Sequence, residues 1–111
     1  MDTKKQELIN IMKDKNIVIW GARMTGLGFL RFNEANNLKT VAFVDSDPML
    51  KDRKINEIPV FHPEKLKSLK KSYSNLIILV AVALKEDEIV KYLKKINISK
   101  DEFIIYSKYC E

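Results

Sequence analysis

Short, almost wholly apolar runs alternate along this chain with longer segments in which apolar residues return every three or four positions. The apolar runs fall at residues 17–20, 40–44, 58–61, 76–82 and 103–106, and most are rich in β-branched side chains. Runs of that length without polar alternation predict strands buried on both faces, as a parallel sheet requires. The intervening segments have the other period. Leu8, Ile9, Ile11 and Met12 predict a helix over 3–15 with Asp2 or Thr3 as its cap. Leu27, Phe29, Leu30, Phe32 and Ala35 predict one over 25–36, stopped at Asn36-Asn37 because asparagine tolerates the left-handed conformation. Pro63 opens a short helix over 63–71, and Ile89, Val90, Leu93 and Ile96 place a last one over 85–96. Residues 46–57 hold Pro48, many charges and little apolar periodicity, which predicts a loop. Strands and helices in alternation imply right-handed crossovers covering both faces of one sheet. The expected fold class is α/β, a doubly wound parallel sheet of about five strands in the order 3-2-1-4-5, with residues 1–111 as a single domain.

Composition narrows the function classes. With 111 residues, 46% hydrophobic and 32% charged, the chain has material for one core and is not disordered. Its longest apolar run, 76–84, is too short to cross a bilayer, so no membrane role is expected. The start Met1-Asp2-Thr3-Lys4-Lys5 has no apolar block, which gives a cytoplasmic expectation. Cys110 is the only cysteine and reads as a tail residue, and His62 is the only histidine, so no metal site is expected. The formal charge of +5 comes from lysines spread over predicted helix faces without interleaved aromatics. That pattern reads as a solvated surface, not as a nucleic-acid interface.

Candidate chemistry sits where the glycines are. Gly21, Gly26 and Gly28 are the chain's only glycines, in Trp20-Gly21-Ala22-Arg23-Met24-Thr25-Gly26-Leu27-Gly28. They lie between a buried strand and an amphipathic helix, the layout in which a nucleotide-binding sheet holds phosphate at a helix N-terminus. In the G-x-G-x-x-G fingerprint the first glycine allows the turn, the second admits pyrophosphate and the third lets helix and strand pack. Gly21 and Gly26 fit the first and third tasks, and Arg23 stands at the second. Two readings of Arg23 stay open: its side chain fills the pyrophosphate space, or its guanidinium contacts phosphate. Asp45 ends the second strand 24 residues after Gly21. An acid there holds the ribose hydroxyls of NAD and disfavours the 2′-phosphate of NADP; alternatively Asp45 caps the turn Asp45-Ser46-Asp47-Pro48. No catalytic set is visible. His62 precedes Pro63 and reads as a helix cap, and Glu86, Asp87 and Glu88 suit the positive end of a helix dipole.

Three segments carry a family resemblance: Trp20 to Gly26, Val41-Ala42-Phe43-Val44-Asp45-Ser46-Asp47-Pro48, and Lys54-Ile55-Asn56-Glu57-Ile58-Pro59-Val60. Together with the start His62-Pro63-Glu64-Lys65-Leu66 and the strand 77–82, they resemble the Rossmann-like N-terminal or accessory domain of bacterial sugar acyltransferases, of nucleotide-sugar dehydratases and epimerases, and of some sugar methyltransferases. The resemblance implies binding of NAD or a nucleotide-sugar by Gly21, Ala22, Arg23, Thr25, Gly26 and Asp45, with Ser46, Ala81 and Val82 beside them. The sequence departs from the pattern at Arg23, at Asp52 and at Glu57, each in place of a glycine. The catalytic portions of those enzymes are not in this sequence. The expectation is a stand-alone nucleotide-binding domain linked to surface-polysaccharide biosynthesis, not an enzyme on its own. Its alternatives are an interaction or regulatory subunit with an empty site, working through a homodimer or a sugar-biosynthesis enzyme, and a fragment of a sugar-modifying enzyme.

Overall fold

The computed structural model describes residues 3–82 and 84–109. Asp2 and Cys110, read above as a helix cap and a tail residue, lie outside them. The chain runs through α1 (Thr3–Met12), β1 (Asn16–Trp20), α2 (Met24–Ala35), β2 (Lys39–Val44), β3 (Lys54–Ile55) and β4 (Ile58–Phe61). A 3-10 turn at Pro63–Lys65 then leads into α3 (Leu66–Ser72), followed by β5 (Leu76–Val80), α4 (Glu86–Lys95) and β6 (Phe103–Ile105).

The strands form one sheet in the order β3-β4-β2-β1-β5-β6. Every pairing is parallel except β3 with β4. Without β3, this is the order expected from the sequence. The added strand lies in the segment read as a loop. Ile55 pairs with Ile58, and the two residues between them, Asn56 and Glu57, have φ of 49° and 69°. Two positive φ values in a two-residue connection make a primed hairpin turn, whose twist matches that of its strands. The usual glycine signal is missing because Glu57 occupies that place.

Alternation along the strands sorts the core into two layers. Ile17, Ile19, Phe43 and Leu79 point to the face covered by Leu8 and Met12 of α1 and Leu30 of α2. Val18, Val44, Ile78 and Val80 point to the face covered by Leu66 and Leu69 of α3 and Ile89 and Leu93 of α4. Each such side chain stabilises the fold by about 1.5–3 kcal/mol when withdrawn from water. One position departs from the apolar stripe expected on α2: Ala35 is exposed, and Asn33 is fully buried in its stead. Asn33 earns that place by hydrogen bonding. Its Nδ2 donates to Thr40 Oγ1 at 2.9 Å, while its backbone carbonyl accepts the Leu38 N–H at 2.8 Å and its Oδ1 is buried without a hydrogen bond; the two bonds tie the end of α2 to the start of β2.

Helix ends follow local chemistry. His62 caps the turn before α3 by accepting the Glu64 N–H on Nδ1 at 3.2 Å. Glu86, Asp87 and Glu88 fill the first turn of α4, and Lys94 and Lys95 its last, in line with the helix dipole. Asp14, Asn37, Asn75 and Asn97 adopt positive φ where the chain leaves a helix or enters a strand.

Candidate functional site

From β1 the chain builds outward to β2 and β4, then returns to build β5 and β6 on the other side. The strand order therefore reverses between β1 and β5. Open parallel sheets bind ligands in the crevice beyond the carboxyl ends of the strands at such a point. A cleft of about 940 Å³ lies there, within the usual range for small-molecule sites.

The glycine turn forms its floor. The Gly21 N–H extends the sheet by donating to the Val44 carbonyl at 2.8 Å, and the Ala81 N–H does the same to Trp20 at 2.9 Å. Gly21 has φ of +120°, and a Cβ there would stand 2.9 Å from Val82 Cγ2 and 3.1 Å from the Ala81 carbonyl oxygen. A Cβ on Gly26 would lie 1.7 Å from the Gly21 carbonyl oxygen. Thus α2 rests directly on the turn, and the first and third glycines do the packing assigned to them. Gly28 differs: an added Cβ would meet nothing within 4 Å.

Two rungs lace this turn to the loop after β2. Asp45 Oδ2 accepts the Ala22 N–H at 2.9 Å while Oδ1 accepts the Asp47 N–H at 2.8 Å. Asp45 is therefore a turn cap, and each of its oxygens keeps a further lone pair for a ligand. In the second rung the Arg23 guanidinium donates to Asp47 Oδ2. Asp47 is itself oriented by its other oxygen, which accepts the Met49 N–H at 2.9 Å. Arg23 stands at the N-cap of α2 with extended backbone, and its side chain is 68% exposed.

The opposite wall is aromatic and apolar. Trp20 and Tyr92 meet edge-to-face with centroids 5.7 Å apart, next to Ile89 of α4. Burial, and then the nearby Glu64 carboxylate, push the Tyr92 hydroxyl above its ordinary pKa, so it stays a neutral donor. His62 and Lys85 add polar groups at the rim.

Of the residues singled out from the sequence, Gly21, Arg23, Thr25, Gly26, Asp45, Ser46, Ala81 and Val82 line the cleft. Ala22 is buried behind it and takes part through its N–H to Asp45. Sequence reasoning treated Asp47 and His62 as turn and cap residues and left out Tyr92 and Tyr106, all of which line the cleft. Tyr92 carried a legible signal, since it lies three residues after Ile89 on α4; Tyr106 reaches the cleft only through the placement of β6. Among the described residues, no group of three or more His, Cys, Asp or Glu could hold a metal ion. No helix there is long and apolar enough to cross a membrane.

Residues 12–104 match the family described as C2185-like, N-terminal. The chain belongs to that family. No curated protein matches it by sequence. Among solved structures, UDP-D-quinovosamine 4-dehydrogenase from Vibrio fischeri is similar with a TM-score of 0.65 at 21% identity, over 82% of this chain and 75% of that one. The Rex-family repressor RSP is similar with a TM-score of 0.67 at 16% identity, over 90% of this chain and 55% of the repressor. RSP in complex with β-NADH gives 0.66 at 16% identity, over 90% and 56%. The chain thus spans about half the length of the repressor. At these identities the likeness is one of fold, and the fold is Rossmann-like.

The residues present fit a nucleotide in part. Gly21 keeps the turn open to backbone approach, the Thr25 and Gly26 N–H groups lie in the first turn of α2, and Asp45 faces the cleft. The departure is at the second glycine, where the Arg23 side chain runs across to Asp47.

Proposed function

We propose that this chain is a nucleotide-binding domain that takes NAD or a nucleotide-sugar in the cleft between β1 and β5. The observation that carries this reading is the stacking of α2 on the glycine turn through Gly21 and Gly26, at the reversal of strand order. That arrangement presents backbone N–H groups to a phosphate beside an acid placed for ribose. Support also comes from the neighbours, since RSP was determined with β-NADH and the Vibrio enzyme is named for a UDP-sugar. In this reading Gly21, Ala22, Arg23, Thr25 and Gly26 surround the phosphates, Asp45 and Ser46 the ribose, and Ala81 and Val82 the opposite side. Residues 1–111 form one such domain, acting in the cytoplasm in sugar or surface-polysaccharide biosynthesis. It carries no catalytic residue of its own.

A thermal-shift screen with NAD, NADP, UDP, GDP and their sugars tests the reading. A ligand at a hundred times its Kd adds about 2.7 kcal/mol, which raises the Tm of a domain this size by several degrees. Asp45 facing the ribose predicts NAD above NADP, and the reverse order would remove that role from Asp45. No shift with any of these ligands would count against the proposal.

A second reading is favoured by the rim of the cleft. Met24, Met49 and Leu84 are 85%, 72% and 98% exposed. Met24 and Leu84 line the cleft, and Met49 follows Pro48, which also lines it. Apolar side chains around one mouth suit a protein partner as well as a ligand. In that reading the chain is an interaction or regulatory subunit with an empty site, joined to a second copy or to an enzyme of sugar biosynthesis.

A further inference from the structure

We propose that Asp47 is a built-in competitor for the ligand's phosphate, holding Arg23 in a latch across the mouth of the cleft. The inference rests on the nucleotide-binding reading and adds to it the class of ligand able to enter: one whose phosphate outcompetes a carboxylate for a guanidinium.

Arg23 occupies the position where a second glycine would leave the turn open, and its guanidinium donates to Asp47 Oδ2. Asp47 cannot simply swing aside, because its Oδ1 accepts the Met49 N–H and its own N–H is held by Asp45 Oδ1. The partner that can move is Arg23, whose long side chain is 68% exposed, against 28% for Asp47. The two loops that a bound nucleotide would bridge are thus already bridged by the protein's own ion pair. A guanidinium binds phosphate oxygens through the same forked geometry it offers a carboxylate, and a phosphate carrying more charge is the stronger partner. Arg23 therefore exchanges Asp47 for phosphate when ligand enters. A neutral sugar or nucleoside has nothing to offer in that exchange and leaves the latch closed. The pair is solvent-exposed, so the latch is weak and reversible and lowers affinity without abolishing binding.

Asp47→Asn isolates the effect, because the amide oxygen still accepts the Met49 N–H while the charge is lost. Calorimetric titrations of wild type, Asp47→Asn, Arg23→Ala and the double variant would use ADP, NAD and inorganic pyrophosphate. Asp52→Asn serves as a control that removes a charge from the same loop without touching Arg23. Asp47→Asn is expected to tighten ADP and pyrophosphate about three- to fivefold, on the scale of an exposed ion pair, with a gain that shrinks in high salt. Arg23→Ala is expected to weaken both ligands, and the gain from Asp47→Asn is expected to vanish in the Arg23→Ala background. A gain that persists there, or one equalled by Asp52→Asn, would show general charge repulsion and overturn the latch. So would unchanged or weaker binding by Asp47→Asn in a chain whose wild type binds ADP; the nucleotide reading would then stand alone. If neither wild type nor Asp47→Asn binds any of the three, the latch falls; the nucleotide-binding reading falls with it only if the UDP and GDP sugars of the thermal-shift screen also give no shift. Binding measurable in Asp47→Asn but too weak to measure in wild type also supports the latch.

Discussion

The turn after β1 and the segment after β2 lie side by side, joined through Asp45 and Asp47, and they solve a similar backbone problem by opposite means. In the turn, Gly21 combines a positive φ with close approach, and Gly26 has close approach alone. In the loop, Asp52, Asn56 and Glu57 have φ of 68°, 49° and 69°, all without glycine and all at exposed positions. A left-handed backbone costs an ordinary residue about 1–2 kcal/mol, which a fold can absorb. A Cβ driven into a carbonyl oxygen has no such remedy. Glycine is therefore retained where another main chain is in the way and dispensable where only the dihedral asks for it. The two departures from the family resemblance at Asp52 and Glu57 fall on this dispensable kind of position.

The largest expected effect tests the turn. Gly26→Ala must push α2 off Gly21, with a loss of about 3 kcal/mol or more in urea unfolding; Gly21→Ala is expected to follow closely. Near-wild-type stability in Gly26→Ala would break the contrast outright. The third glycine sharpens it from the other side. Gly28 is helical and an added methyl meets nothing, so Gly28→Ala is expected to raise stability by about 0.5–1 kcal/mol. Destabilisation there would mean that glycine in this segment serves something besides packing.

For the loop the expected sign is reversed. Glu57→Gly relieves the left-handed strain but restores chain freedom to the unfolded state, leaving a net gain of about 0.5 kcal/mol in thermal unfolding. A loss would show that the β3–β4 turn depends on the Glu57 side chain. The smallest effect lies away from both loops and serves as a reference. Burial pushes the Glu102 carboxyl up, but the Ser99 N–H at 2.9 Å, Lys70 at 3.1 Å and the Ser99 hydroxyl outweigh it and hold the pKa below the ordinary 4.5. The ionised form is favoured by folding, so this contribution is present above about pH 4.5 and is lost as pH falls through the lower folded value. Lys70→Met should raise the Glu102 pKa in an NMR titration and flatten the acid limb of the stability curve. An unchanged Glu102 titration would remove Lys70 from that account.

Local pattern was enough for the fold's main lines. Apolar runs buried on both faces gave the five parallel strands and their order, because a strand covered on two sides has no polar alternation to hide. The strand β3 stayed hidden because its turn lacks the glycine that marks such hairpins. Asn33 stayed hidden because a polar residue in a core is legible only once its partner Thr40 is beside it.

At the site, the sequence by itself determined one side of the cleft, since the glycine turn, the acid after β2 and the segment after β5 all follow the carboxyl ends of parallel strands; Tyr106 joined them only through the placement of β6. Only the tertiary structure decided what each does there. Gly26 packs on Gly21, Gly21 packs on Ala81 and Val82, Asp45 caps a turn while facing the cleft, and Arg23 reaches Asp47. These contacts reach as far along the chain as Gly21 to Val82, and their spacing is set by how helices and strands stack, which no local period encodes.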